Sequence, residues 1–222
     1  MDELLKYRLR FTKTGRAAYI SHLDLMRCMQ RAFSRAELPL KYSEGFNPHA
    51  LLSILLPLPL GEESLCELMD FRLGAAVRPA EIVRRLRGSL PQGMEALGVT
   101  VPALPVKELK FVRVEGLFQY DRLDAEEAAA RLGDFFAAER IDVIKRGKSG
   151  ESVMDIAPHV RELGVEAAPD GVRVRALLSA QGPTLSPELL AAALKQRAPE
   201  LRAGFHRFRR LENYTARMEV FT

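Results

Sequence analysis

The residues best equipped for chemistry lie in two stretches near the start of the sequence, Ser21-His22-Leu23-Asp24 and Tyr42-Ser43-Glu44-Gly45-Phe46-Asn47-Pro48-His49. A histidine in the first turn of a helix meets the positive end of the helix dipole, which favours a neutral imidazole able to take up or pass on a proton. His22 therefore has the chemistry of a general acid or base, with His49 as a second imidazole to support a leaving group. A protease-like triad is excluded, because Ser21, His22 and Asp24 within one turn cannot set the base between its two partners. Capping by itself accounts for Ser21 and Asp24. A serine followed three residues later by a carboxylate resembles a capping box, with Asp in place of Glu. On that reading His22 packs at the helix rim.

The second stretch has the chemistry of recognition. Gly45 permits a positive backbone angle, Pro48 restricts Asn47 to extended conformations, and the rings of Tyr42 and Phe46 are spaced to flank a flat group. Single-stranded RNA is read by bases splayed onto such rings, with Ser43, Asn47 and His49 available to base edges. Between the two stretches Arg27, Arg31 and Arg35 recur every four residues, a row that can follow phosphates or stand solvated.

Periodicity supplies the elements that must position these groups. Residues 4–12 alternate, with Tyr7, Leu9 and Phe11 on one side and Lys6, Arg8 and Arg10 on the other, so a half-buried strand with a cationic polar face is expected. A helix follows over residues 21–36, its core stripe being Leu25, Met29 and Phe33. Strands at 50–56, 65–73 and 94–101 and a helix from Pro79 complete a β-α-β-β-α-β order. Pro102 and Pro105 mark a joint, placing a linker at 102–110. The order then recurs in strands at 111–119, 141–145 and 172–178, helices at 124–138 and 186–197, and a closing strand or hairpin at 203–220. The expected fold class is α+β, two tandem ferredoxin-like units at 1–101 and 111–222.

Composition removes several function classes. The chain has 222 residues, 47% hydrophobic and 28% charged, which is a globular profile. Its longest apolar run, residues 50–60, is interrupted by Ser53, Pro57 and Pro59 and is too short to span a membrane. Asp2 and Glu3 at the start do not form a signal segment, so the expected compartment is the cytoplasm. Cys28 and Cys66 are isolated and expected to be buried, and His22, Glu44, His49, Glu67 and Asp70 lack ligand spacing. No metal or cofactor of its own is expected. The net charge of +4 is concentrated near Lys6, Arg8, Arg10, Lys13 and Arg16, in the Arg27 row, and in Arg202 to Arg217. The run Lys145-Arg146-Gly147-Lys148-Ser149-Gly150 lacks phosphate-loop spacing and is a basic turn, with Lys145 as a further phosphate contact.

The segments Phe11-Thr12-Lys13, Ser21-His22-Leu23-Asp24-Leu25-Met26-Arg27, Tyr42 to His49 and Leu58-Pro59-Leu60-Gly61 together resemble the signature of a radical-SAM-associated family of unknown function. Members of that family stand alone or are fused behind a radical SAM enzyme domain. The resemblance implies a radical SAM enzyme as partner, an RNA or ribosome setting, and, since this chain has no cysteine cluster, an accessory rather than a radical enzyme. A more distant similarity, to the repeat-associated RNA-processing proteins of CRISPR systems, rests on fold analogy alone. The expected function is a noncatalytic module that binds RNA, tRNA or rRNA, and presents it to the radical SAM enzyme. The alternatives are a metal-independent endoribonuclease using His22, and a protein-interaction adaptor without RNA binding.

Overall fold

The computed structural model describes residues 5–147 and 150–222. The chain is α+β and divides into two units, Met1–Glu108 with Val220–Thr222, and Leu109–Glu219. Among the described residues no helix is long and apolar enough to cross a membrane.

The first unit runs β1 (Lys6–Lys13), α1 (His22–Arg35), β2 (Leu52–Ile54), β3 (Glu63–Arg72), α2 (Pro79–Arg87) and β4 (Ala96–Thr100). Its strands lie in the order β4-β1-β3-β2, each antiparallel to its neighbour. Leu9 faces Met69 on one side and Val99 on the other, and Phe71 faces Leu52, so one sheet face is largely apolar. The expected stripe of α1, Leu25, Met29 and Phe33, is buried against it, as are Ile82 and Leu86 of α2. Phe71 stacks on Tyr7 at 5.5 Å and meets the edge of Phe33 at 4.8 Å, aromatic geometry that adds to area burial. The second strand is shorter than expected because the chain bends at Leu55 and Leu56 ahead of Pro57.

The cationic side of β1 is not the solvated face that alternation suggests. Arg8 is 1% exposed, its guanidinium 4.8 Å above the Phe221 ring and bonded to Asp70 at 2.6 Å, and Lys6 pairs with the same carboxylate at 3.1 Å. The C-terminal residues cover this face. Two charges sharing one carboxylate under an aromatic ring form a local ion-pair network rather than a phosphate surface.

The second unit contains β5 (Phe111–Gln119), α3 (Ala125–Phe136), β6 (Asp142–Gly147), β7 (Gly150–Asp155), β8 (Val160–Ala168), β9 (Gly171–Ser179), α4 (Glu188–Arg197) and β10 (Phe205–Tyr214). Four strands pair in the order β10-β5-β9-β8, again antiparallel. The expected strand at 141–145 does not join them. It forms a separate hairpin, β6 with β7, and the sheet position is taken by β8. β8 escapes the sequence because Arg161, Glu162, Gly164 and Glu166 obscure alternation and a register shift between Arg161 and Gly164, with Glu162 at φ 47°, breaks the period. Charges and a bulge on an edge strand also discourage pairing with other chains. The turn from β8 to β9 needs Gly171: at φ +136° a Cβ there would meet the Phe118 carbonyl oxygen at 2.3 Å.

Candidate functional site

The start of α1 is built by capping. Ser21 Oγ accepts from the Asp24 backbone N–H at 3.2 Å and donates to Asp24 Oδ2 at 2.8 Å, while Arg27 Nη1 donates to Asp24 Oδ1 at 3.0 Å. The Ser21 and Arg27 hydrogen bonds hold the Asp24 carboxyl below its ordinary range. Both residues are thus committed to the helix end. His22 is exposed, and no described residue hydrogen-bonds its ring or orients it for proton transfer.

Residues 42–49 form a closed-neck loop. Tyr42 bridges Ala50, the Ser43 N–H donates to the His49 carbonyl at 2.8 Å, the His49 N–H donates to Ser43 Oγ at 3.1 Å, and Ser43 Oγ meets His49 Nδ1 at 2.8 Å. His49 is therefore a clasp. Beyond the clasp Glu44, Gly45, Phe46, Asn47 and Pro48 are all exposed, with Gly45 at φ +119°, a conformation other residues adopt only under strain. Phe46 is 106% exposed and Tyr42 54%, so neither ring tucks into the core. The base of the loop borders a cleft of about 310 Å³ that includes Lys6, His49, Ser53, Asp70 and Arg72.

On α1, Arg27, Arg31 and Arg35 share one side with Asp24 and Cys28 around a shallow depression of about 280 Å³. Their engagements differ. Arg27 is paired with Asp24, Arg35 Nη2 donates to the Ser89 carbonyl at 2.5 Å, and Arg31 has no hydrogen-bond or ion-pair partner among the described residues. Cys28 is half-buried and Cys66 buried, and among the described residues no group of three or more His, Cys, Asp or Glu could hold a metal ion.

A feature that sequence reasoning passed over joins the remaining motifs. Lys13 is 2% exposed and donates from Nζ to the Ala18 carbonyl at 2.8 Å, and the Gly61 N–H donates to the same oxygen at 3.0 Å. Glu62 and Glu67, both buried, supply the opposing charge. Burial lowers the Lys13 ammonium pKa, and the two carboxylates partly offset that. The segments around Phe11 and Gly61 thereby anchor the 3₁₀ turn Gly15–Tyr19 that leads into α1. The signal was present: positions 7, 9, 11 and 13 of a strand share a face, and Lys13 falls on the apolar one.

Lys145 is exposed on β6 of the second unit, opposite Ser152, while Lys148 and Ser149 lie outside the described residues. Asp155 is structural, since its Oδ1 accepts from the N–H groups of Ile141 at 2.9 Å and Ala157 at 3.1 Å.

Comparison with curated proteins gives no match. The model of the family described as uncharacterized protein conserved in bacteria (DUF2344) matches residues 6–187, from β1 to the start of α4, and the chain belongs to that family.

Proposed function

We propose that the protein is a noncatalytic RNA-binding module that reads single-stranded RNA with the 42–49 loop and engages phosphates along α1. The observation that carries this reading is Phe46, whose ring stands wholly in solvent on a loop held shut at its neck by Ser43 and His49. Burying a phenylalanine stabilises a fold by about 1.5–3 kcal/mol, so a loop that leaves one outside gains nothing for folding from that ring. Stacking of a base on such a ring is worth about 1–3 kcal/mol. Arg31, which has no hydrogen-bond or ion-pair partner among the described residues, and the neighbouring Arg27 supply the charge that draws a phosphate backbone.

The resemblance carried by residues 11–61 extends the proposal: the RNA is a tRNA or rRNA, and the module presents it to a radical SAM modifying enzyme. Both units are read as ferredoxin-like, a reading supported by the shared lateral orders β4-β1-β3-β2 and β10-β5-β9-β8, with β6–β7 as an insertion in the second. An adaptor role without RNA is favoured by a different observation, the exposed apolar side chains of Tyr19, Leu23 and Leu60.

Purification followed by nuclease treatment and sequencing of bound nucleic acid, with salt-dependent binding of single-stranded RNA, tests the proposal. Arg31→Ala is expected to weaken all sequences alike and lower the salt slope by about 0.7, whereas Phe46→Ala weakens binding with the slope unchanged. Absence of RNA retention at low salt would overturn it. Complex formation with a radical SAM enzyme after nuclease digestion would favour the adaptor. Cleavage in chelator leaving a 2′,3′-cyclic phosphate, abolished by His22→Ala, would establish the ribonuclease instead.

A further inference from the structure

A cavity of about 310 Å³ in the second unit brings together Glu188, Lys195, Arg202 and His206, none of which belongs to the surface described above. Glu188, Ala191, Ala192 and Lys195 recur at helical spacing and share a face of α4. The two alanines leave the space between the carboxylate and the ammonium open. Arg202 faces it from the segment that leads into β10, and His206 from the start of β10 itself. His206 is held in place: Nε2 lies 3.0 Å from Glu188 Oε2, and the ring stacks on buried Phe118 at 6.0 Å. Donating a hydrogen bond to the Glu188 carboxylate raises the His206 pKa above its ordinary value.

The other two cations are differently disposed. Lys195 and Arg202 are exposed, and their side chains have no hydrogen-bond or ion-pair partner among the described residues. The Glu188 carboxylate is engaged by His206, and Lys195 and Arg202 are the cations of the cavity without a hydrogen-bond or ion-pair partner among the described residues. Asp121 approaches from outside the lining, where a Cβ on Gly204 would come within 2.9 Å of its Oδ2. Two cations reaching one opening from facing elements suit an anion with several oxygens, and a guanidinium can bind two of them at once. The volume is at the lower end of small-ligand pockets, enough for a phosphate carrying an organic group of nucleotide size.

We propose that this cavity binds a phosphate monoester of nucleotide size, with Lys195 and Arg202 pairing the phosphate oxygens and the Glu188–His206 pair forming a fixed wall beside it. The proposal is independent of RNA reading by the 42–49 loop, which belongs to the other unit. The shared chemistry is that of a free nucleoside monophosphate or the 5′-phosphorylated end of an RNA.

The test is titration of the full chain, labelled in its histidines, with inorganic phosphate, adenosine, adenosine 5′-monophosphate, and one oligoribonucleotide bearing either a 5′-phosphate or a 5′-hydroxyl. The His206 resonance is the readout, assigned by its loss in His206→Gln. The phosphate-bearing probes shift it and adenosine does not. Arg202→Ala and Lys195→Ala, both at exposed positions, each weaken binding about tenfold, as loss of one charge-assisted hydrogen bond predicts. Ala192→Met, which fills the cavity and leaves its charges intact, also weakens binding. Preference for the monophosphate identifies a free nucleotide, and preference for the 5′-phosphorylated over the 5′-hydroxyl oligonucleotide identifies an RNA end. The proposal falls if no phosphate-bearing probe moves His206, or if binding survives both Arg202→Ala and Lys195→Ala undiminished.

Discussion

His49 spends its ring on Ser43, 2.8 Å away, and this partnership redirects what a histidine beside a glycine-containing loop means. From residue types the pair can be an acid–base group and a base-edge donor. In the fold it fastens a loop, and Phe46, which carries no ionisable group, becomes the residue presented to solvent. Lys13 underwent the opposite change. As one of several N-terminal cations it suggests phosphate binding, yet it lies buried with Glu62 and Glu67 and spans to the Ala18 carbonyl. Lys13→Met keeps much of the volume and removes the ammonium, leaving two carboxylates buried without it. A stability loss of about 3–5 kcal/mol is expected from denaturant unfolding, the usual consequence of removing one member of a buried charge group. RNA affinity extrapolated to the folded fraction should be unchanged.

Elements were legible where their periodicity was clean. The apolar stripe of α1 and the cap at Ser21, which accepts from the N–H group of Asp24 at 3.2 Å, follow directly from spacing. β8 did not, because an edge strand with one solvated side tolerates charges and a bulge that a central strand would not. The end of β5 offers a test of local burial. Tyr120 donates its hydroxyl to the Leu201 carbonyl at 3.0 Å, and burial pushes its phenol up to about 12. A phenol whose folded pKa exceeds its unfolded value of about 10 supports folding fully below pH 10 and loses that support as pH rises toward 12. Absorbance titration should show one of the five tyrosines ionising late, and Tyr120→Phe should remove that step and flatten stability over the same interval.

For the whole molecule, the end of the chain matters as much as its beginning. Residues Val220–Thr222 belong to the first unit although they follow the second in sequence, and Phe221 is 0% exposed beneath Arg8. Phe221→Ala is expected to destabilise the first unit by about 3–5 kcal/mol, read as earlier loss of the Tyr7 and Phe71 environment in thermal unfolding. A chain ending at Glu219 should lose at least as much. Local spacing by itself determined the α+β class, the helix stripes and caps, and the position of the glycine-containing loop, because each depends on residues within a turn or a strand of one another. Only the tertiary structure decided which cations are buried, which ring stands in solvent, which strand completes the second sheet, and that Lys195, Arg202 and His206 line one cavity. The burial of Arg8 depends on partners tens or hundreds of positions away, Asp70 and Thr222, and even the shorter-range outcomes depend on how turns fold back, which no local periodicity encodes.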